Sequence, residues 1–469
     1  MELNKIICMD CLIGMKQMPD NSVDAVVTDP PYGLEFMGKE WDKLTRNCMN
    51  PQSEADQSWN ENHPQSELAR RMRDRPDLGA TAKYAKEAQA WHYDWAKEVL
   101  RVLKPGGHLL SFGGSRTYHR MACAIEDAGF EIRDQIMWVY GSGFPKSLNI
   151  GKAINKIDGV KFDSKPAEGV GFMKPDSDDW HQTKNMLTQA GESSERAKQW
   201  EGWGTALKPA HEPIVLARKP LSEKSVAENV LKWGTGGINI DGCRVGTEKH
   251  IVRGGDENTQ PFFHGGFNVV NKEVQGRFPS NLIHVGSDEV EAEFAKAGDC
   301  GGGKSEYFGV GEKDGSGSAS RFFYCAKASK EERDMGCIGL EYQERTATNM
   351  NWRCEICNKF QLQGNGDICK CENPKWMKPI VHNNHPTVKP ITLMEYLIKL
   401  ITPPKGIVLD PFIGSGTTAI ACKKLGMDFI GFEISPEYCK IAETRLKAVP
   451  VRLDKLLGNH PEVIKENNT

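Results

Sequence analysis

Apolar residues in this chain fall into short continuous runs that alternate with helically spaced ones. Lys5, Ile6, Ile7 and Cys8 form a strand-like run leading to Asp10-Cys11, and Leu12, Met15 and Met18 then recur at helical spacing until Pro19 and Asp20 break the pattern. A second run, Val23, Ala25, Val26 and Val27, leads directly into Asp29-Pro30-Pro31-Tyr32, which predicts a buried strand ending in a rigid turn that carries an acid. A helical pattern spans Trp91 to Leu103, Pro105-Gly106-Gly107 interrupts it, and His108 to Phe112 has the composition of the next strand. A helix over 117–128 and a strand over 131–140 follow. Near the C-terminus the same rhythm returns: an amphipathic helix from Leu393 to Leu400, the strand Ile407 to Leu409, a helix opening after Gly416, and the strand Phe429 to Phe432. Alternating strand and helix predicts an α/β fold built on a Rossmann-like, doubly wound, mostly parallel sheet.

Two long stretches break the rhythm. Residues 33–90 are polar and interrupted, with Trp41, Trp59 and the cluster Arg70, Arg71, Arg73 and Arg75, the composition of a long mobile loop beside an active site. Residues 141–345 are rich in Gly, Trp and polar side chains, with short strand-like pieces at 212–217 and 321–325, and predict a separate, irregular module. That module contains Gly298 followed at P-loop spacing by Gly303-Lys304-Ser305. A phosphate cradle needs a strand before it and a helix after it, whereas here a charged helix-like segment precedes and a glycine-rich run follows, so that motif is rejected. Residues 451–469 are a polar tail.

Composition narrows the classes. A chain of 469 residues with 39% hydrophobic and 26% charged residues and a mean hydropathy of -0.52 is expected to be soluble, with two to three structural units and no membrane span. No secretory leader pattern precedes the 14 cysteines, so they are expected in a reducing, cytoplasmic compartment, where metal binding is their special use. The net charge of -3 leaves any nucleic-acid surface to a local basic patch.

Three constellations carry chemistry. In Asp29-Pro30-Pro31-Tyr32 the prolines fix the backbone so that the Asp29 carboxylate and the Pro30 carbonyl can face one way, two acceptors beside an aromatic ring. An exocyclic amine of a nucleobase is the complement, with two N–H donors on a flat ring that stacks on Tyr32. The plain alternative is a turn that merely caps a sheet edge. Cys354 and Cys357, then Cys369 and Cys371, are a Cys-x2-Cys and a Cys-x-Cys with eleven residues between them, suited to one tetrahedral, structural zinc with no open position for catalytic water. Asp410-Pro411-Phe412 ends a strand, Gly414-Ser415-Gly416-Thr417-Thr418 opens a helix, and Glu433 ends the next strand seventeen residues after Gly416. Such a turn admits a ligand to the backbone, and the acid accepts both ribose hydroxyls. In isolation this also fits a dinucleotide-dependent oxidoreductase.

The order of parts separates these readings. The strands missing after Glu433 are found at the N-terminus, so that, joined end to start, the sheet runs through Asp410, Glu433, Asp10 and Asp29 at the carboxyl ends of neighbouring strands. In this circularly permuted order the chain resembles the β group of amino DNA methyltransferases over roughly residues 5–145 and 380–447. There the acid-Pro-Pro-Tyr motif comes first, a recognition region follows, and a Phe-x-Gly-x-Gly motif, here Phe412-Ile413-Gly414-Ser415-Gly416, comes last. The resemblance implies S-adenosylmethionine as methyl donor and adenine N6 or cytosine N4 of duplex DNA as acceptor. It assigns catalysis to Asp29, Pro30, Pro31 and Tyr32, the ribose to Glu433 and the adenine side of the donor to Asp10. The turn from Asp410 to Thr418 would lie under the methionine moiety, with Thr387 and Lys389 nearby. The implied organisation is a catalytic half at 1–145, a target-recognition region at 146–350, a four-cysteine zinc knuckle at 351–378, a donor-binding half at 379–450 and the tail. Such enzymes act in the cytoplasm of bacteria or are encoded by phages. The sequence leaves open a homodimer and a partner nuclease.

An aromatic amine is a poor nucleophile because its lone pair is delocalised, and hydrogen bonds to Asp29 and the Pro30 carbonyl would hold that pair on nitrogen. Methylation at cytosine carbon needs a cysteine nucleophile, and the Pro-Cys pair in which it is typically found is absent from this sequence. The target base must leave the stack to reach the pocket. The remaining alternatives are a zinc-dependent DNA binder without catalysis and an RNA or protein amine methyltransferase. The family resemblance favours adenine N6 over cytosine N4, since an acidic first residue in the motif is commoner with adenine, and chemistry alone does not choose.

Overall fold

In the computed structural model, described residues are 2–32, 82–140, 147–160, 193–254, 270–284, 327–337, 339–340 and 380–450, with short strand pieces at 163–166, 171–173, 180–182, 187–190, 323–324, 342–343, 353–354 and 376–377. Among them is one nine-stranded sheet. Its strands are β1 (Lys5–Cys8), β2 (Val23–Thr28), β3 (Leu103–Phe112), β4 (Glu131–Val139), β5 (His211–Arg218), β6 (Leu282–His284), β7 (Phe323–Tyr324), β8 (Ile407–Asp410) and β9 (Asp428–Glu433). The spatial order is β1-β9-β8-β2-β3-β5-β4-β6-β7. All neighbours pair parallel except β5, which runs antiparallel to both β3 and β4.

Successive strand residues feed opposite faces, as the two-residue period of a strand requires. Ala25, Val27, Leu110, Ile214 and Val408 pack on one side, against the helix Ile391–Ile401, while Val26, Leu109, Val215 and Leu409 pack on the other, against the helices Cys11–Lys16, Ala82–Val102 and Tyr118–Asp127. A sheet covered on both faces needs strands that are apolar throughout, and β2 is buried along its whole length. The helix Ile391–Ile401 buries eight of its side chains, each contributing about 1.5–3 kcal/mol relative to exposure. Its polar residues Glu395 and Lys399 fall outside that buried set.

Several expectations are adjusted. The helix expected from Trp91 begins at Ala82, so the polar stretch expected as a loop to residue 90 ends earlier; residues 33–81 lie outside those described. The strand expected at His108 begins at Leu103 and runs through Pro105-Gly106-Gly107, with Gly106 at φ +77° and a register shift against β2 between Val23 and Ala25. The strand expected inside a separate module, 212–217, is β5 in the middle of the main sheet, because Ile214, Val215, Leu216 and Ala217 are apolar on both faces and are buried there. The piece expected at 321–325 likewise joins the sheet as β7. Gly298 and Gly303-Lys304-Ser305 lie outside the described residues.

The strand order also differs from an end-to-start joining. Among the described residues β1 pairs only β9, and β8 stands between β9 and β2. Burial explains the choice: β1 is exposed at both ends, as an edge strand tolerates, whereas Val408 and Leu409 of β8 are fully buried and need neighbours on each side. Among the described residues no helix is long and apolar enough to cross a membrane.

Candidate active site

The parallel strands place Asp10, Glu433, Asp410 and Asp29 at the carboxyl ends of four adjacent strands, the edge where open α/β sheets bind ligands. The sequence expectation that these four acids belong to neighbouring strands therefore holds, in a different order.

Asp410 ties the two motifs together. Thr28 Oγ1 donates to Asp410 Oδ1 at 2.6 Å, Thr418 Oγ1 donates to Oδ2 at 2.5 Å, and the Phe412 amide donates to Oδ1 at 3.0 Å. Burial pushes its carboxyl up to about 6, against those three donors. Both oxygens of Asp410, a residue the sequence places on the donor side, accept from the protein, and Asp410 shapes the turn that holds the others. The glycines after it are in the left-handed region, Gly414 at φ +51° and Gly416 at φ +82°. A Cβ at Gly414 would lie 2.6 Å from His385 Nε2, and one at Gly416 would lie 2.9 Å from the Ala442 Cβ. Only glycine fits both the backbone and the space.

Glu433 clasps this turn from the next strand. Its Oε2 accepts from the Gly414 amide at 3.1 Å and its Oε1 from the Ser435 amide at 2.8 Å. Burial is the largest influence on its carboxyl, which rises to about 7. Asp10 caps the helix Cys11–Lys16, with Oδ1 accepting from the Leu12 and Ile13 amides at 2.9 and 3.2 Å. Ser415 and Thr417 are held from behind by Arg445, a fully buried guanidinium that donates to the Ser415 carbonyl at 2.7 Å and to both hydroxyls at 3.1 Å. Burial lowers that guanidinium to about 10. Pro411 is buried, and the Phe412 ring meets Trp91 at a tilt and Trp95 edge-on, with centroids 5.5 and 5.7 Å away. Arg445, Trp91 and Trp95 carried no sequence signal, since helical apolar spacing and a single basic residue are common to most helices.

At the Asp29 end, Tyr32 Oη donates to Asp29 Oδ1 at 2.8 Å, and the Tyr32 carbonyl accepts from Thr117 Oγ1 at 2.9 Å, fixing the Pro30-Pro31 turn. Lys389 Nζ donates to Asp29 Oδ2 at 2.5 Å, and Glu212 Oε2 lies 3.2 Å from Tyr32 Oη and 3.3 Å from Lys389 Nζ. The ammonium also lies 4.8 Å from the centre of the Phe112 ring, a cation–π contact. Burial pushes the Asp29 carboxyl up, opposed by Lys389, while burial works against the Lys389 charge and is outweighed by Asp29 and Glu212, which raise it.

The segment His385-Pro386-Thr387-Val388-Lys389 links the two ends. His385 covers Gly414 and meets Tyr438 edge-on at 4.6 Å, Thr387 is exposed, and Lys389 reaches Asp29. Lys389, expected beside the donor, is brought to the acid of the other motif. Glu212 was missed because nothing in its local sequence distinguishes it from any polar residue at a strand start. Of the four cysteines, Cys354 pairs in backbone register with Trp376, and Cys357, Cys369 and Cys371 lie outside the described residues. Among the described residues no group of three metal-binding side chains converges.

The family model of the N6_N4_Mtase DNA methylases matches residues 23–444. The chain belongs to that family. This DNA methylase is 23% identical over 445 residues to the type II methyltransferase M.HindIII of Haemophilus influenzae, covering 93% of each protein. It is 50% identical over 64 residues to the type II methyltransferase M2.DpnII of Streptococcus pneumoniae, 14% of this chain and 24% of that protein. Among solved structures, the methylase is similar to the M1.HpyAVI–SAM complex, with a TM-score of 0.34 and 16% identity over 94% of this chain and 98% of that one. It is also similar to the PvuII DNA methyltransferase, described as cytosine-N4-specific, with a TM-score of 0.41 and 14% identity over 97% and 90% of the two chains.

Proposed function

We infer that this DNA methylase transfers the methyl group of S-adenosylmethionine to the exocyclic N6 of an adenine flipped out of duplex DNA, at a specific site. The observation that carries the reading is the joining of Asp29 to the glycine turn through the Thr28–Asp410 hydrogen bond of 2.6 Å, which keeps an amine-binding acid and a nucleoside-binding acid on one edge. The residues fit the donor. Glu433 offers a carboxylate for two ribose hydroxyls, Asp10 lies at the end of the adjacent strand, and the Gly414–Gly416 turn leaves backbone open to a ligand. When bound, the donor supplies an electrophilic methyl group on a sulfonium. The protein's own part is to hold the amine: Asp29 and the Pro30 carbonyl accept its two N–H groups, and Tyr32 gives the base a stacking face.

The chain's N- and C-terminal strands share one sheet, which supports a circularly permuted motif order. On this reading residues 146–350 supply target recognition apart from the strands that enter the sheet, and residues 351–378 form a zinc knuckle. The support for that knuckle is the Cys-x2-Cys and Cys-x-Cys spacing of Cys354, Cys357, Cys369 and Cys371. The enzyme then works in a bacterial cytoplasm on double-stranded DNA, as a monomer or a homodimer and with or without a partner nuclease.

Cytosine N4 is the second reading, because both amines present two donors to the same acceptors. Digesting methylated DNA to nucleosides and resolving them by mass spectrometry separates the two. N6-methyladenine is the expected product, and N4-methylcytosine alone would overturn the assignment.

A further inference from the structure

Glu212 has no part in the reading above, yet its Oε2 lies 3.2 Å from Tyr32 Oη, where it competes with Asp29 for the one phenolic proton, and 3.3 Å from Lys389 Nζ. It arrives on the antiparallel strand β5, whose first residues are carried to the Asp29 edge by the pairing of Phe112 with Ile214 and of Val139 with His211. Its side chain is 21% exposed and that of Lys389 is 9% exposed, so two carboxylates share one ammonium largely out of water. A second acid so close to Asp29 is unfavourable unless a cation offsets both, and Lys389 is that cation.

The reaction makes a specific demand on Asp29. The amine lone pair forms the new N–C bond, the S–C bonding pair leaves with sulfur, and the nitrogen, now positive, must release one N–H proton. Asp29 has to be ionised to accept the amine and basic enough to take that proton afterwards. Lys389 alone secures the first property and weakens the second. Glu212 offsets it by drawing on the same ammonium and the same tyrosine hydroxyl. We propose that Glu212 is a positioning residue for methyl transfer, sharing Lys389 and Tyr32 with Asp29 so that Asp29 stays ionised while remaining a proton acceptor.

The charged and titratable groups around Asp29 agree with this. Lys389 precedes the helix Ile391–Ile401, Glu212 comes from β5, Asp410 from β8, and Tyr32 from the turn itself. Beyond Glu212 stand Tyr140, raised to about 12 by burial and by Glu212, and Lys327, lowered by burial, with its ammonium 3.7 Å from the centre of the Tyr140 ring. Glu212 pushes the Asp29 carboxyl in the same direction as burial does, and Lys389 pushes it back.

The inference rests on the amine-transfer reading, and its test separates the two. In the full-length, ligand-free protein, infrared difference titration follows the Asp29 carboxyl, identified by the band lost in Asp29→Asn. In Glu212→Gln its midpoint should fall by about one pH unit, and in Glu212→Asp it should stay near that of the unaltered protein. Single-turnover methyl transfer by Glu212→Gln should drop by up to about tenfold, the most that one unit of lost basicity can cost, with its acid limb moved to lower pH and S-adenosylmethionine affinity unchanged. An Asp29 midpoint that does not move overturns the role of Glu212, whatever the rate does. An unaltered chain that shows the midpoint but methylates no duplex overturns the amine-transfer reading and, with it, the purpose assigned to Glu212.

Discussion

Lys389 Nζ lies 2.5 Å from Asp29 Oδ2 across 360 positions of sequence. The contact joins a residue just before the C-terminal half of the sheet to the acid of the N-terminal motif, so the Asp29 carboxylate is set by both halves of the interleaved fold. Removing Lys389 leaves Asp29 and Glu212 largely buried without their shared cation, whereas removing Asp29 leaves Lys389 still paired with Glu212.

Asp29→Ala should abolish methyl transfer while leaving S-adenosylmethionine binding largely intact, because the proposed donor turn is held by Glu433, Asp410 and Arg445 and not by Asp29. Lys389→Met should lower unfolding stability by about 3 kcal/mol and suppress transfer. Denaturant melts together with a tritium-transfer assay read both, and near-normal turnover by Asp29→Ala would remove the catalytic assignment.

Glu433→Ala should weaken S-adenosylmethionine by about 1.5–3 kcal/mol, the scale of hydrogen bonds to a charged group. The pH dependence follows from its carboxyl, raised from 4.5 to about 7 by burial. The folded state keeps a proton that the unfolded chain has already lost, so this group's contribution to stability is complete below pH 4.5 and disappears as pH rises through 7. Ribose binding needs the ionised form. Donor affinity measured by calorimetry should therefore rise about tenfold from pH 6 to pH 8, with proton release on binding, and Glu433→Gln should flatten that dependence.

Gly416→Ala forces a β-carbon at φ +82° to within 2.9 Å of the Ala442 Cβ. A loss of about 2 kcal/mol in stability and weaker donor binding are expected. Arg445→Met should act on the same turn from behind, since it removes the donors to the Ser415 carbonyl and to the Ser415 and Thr417 hydroxyls. Thermal unfolding with and without S-adenosylmethionine distinguishes a disturbed turn, which loses the ligand-induced stabilisation, from a general packing defect, which keeps it.

Elemental analysis of protein purified under reducing, chelator-free conditions should find about one zinc per chain. Replacing Cys357 or Cys371 with serine should remove it. A metal-free native protein would leave the four cysteines without the proposed role.

The elements whose signal is local were legible in the sequence. β1, β2, β4, β8 and β9, the helices between them, the acid at each strand end and the glycine turn all follow from runs, periods and punctuation spanning a few residues, because strand and helix periodicity are written into neighbouring positions. The family resemblance came from the order of two such motifs. Tertiary structure alone decided what depends on contacts between remote residues. It put β8 between β9 and β2 because a strand apolar on both faces needs two neighbours. It drew β5 out of the irregular middle into the sheet, and by running it antiparallel brought the start of that strand, with Glu212, to the same edge as Asp29. It turned Lys389 toward Asp29 and set Arg445 behind the glycine turn, where each buried charge finds the partners that a single sequence position cannot declare.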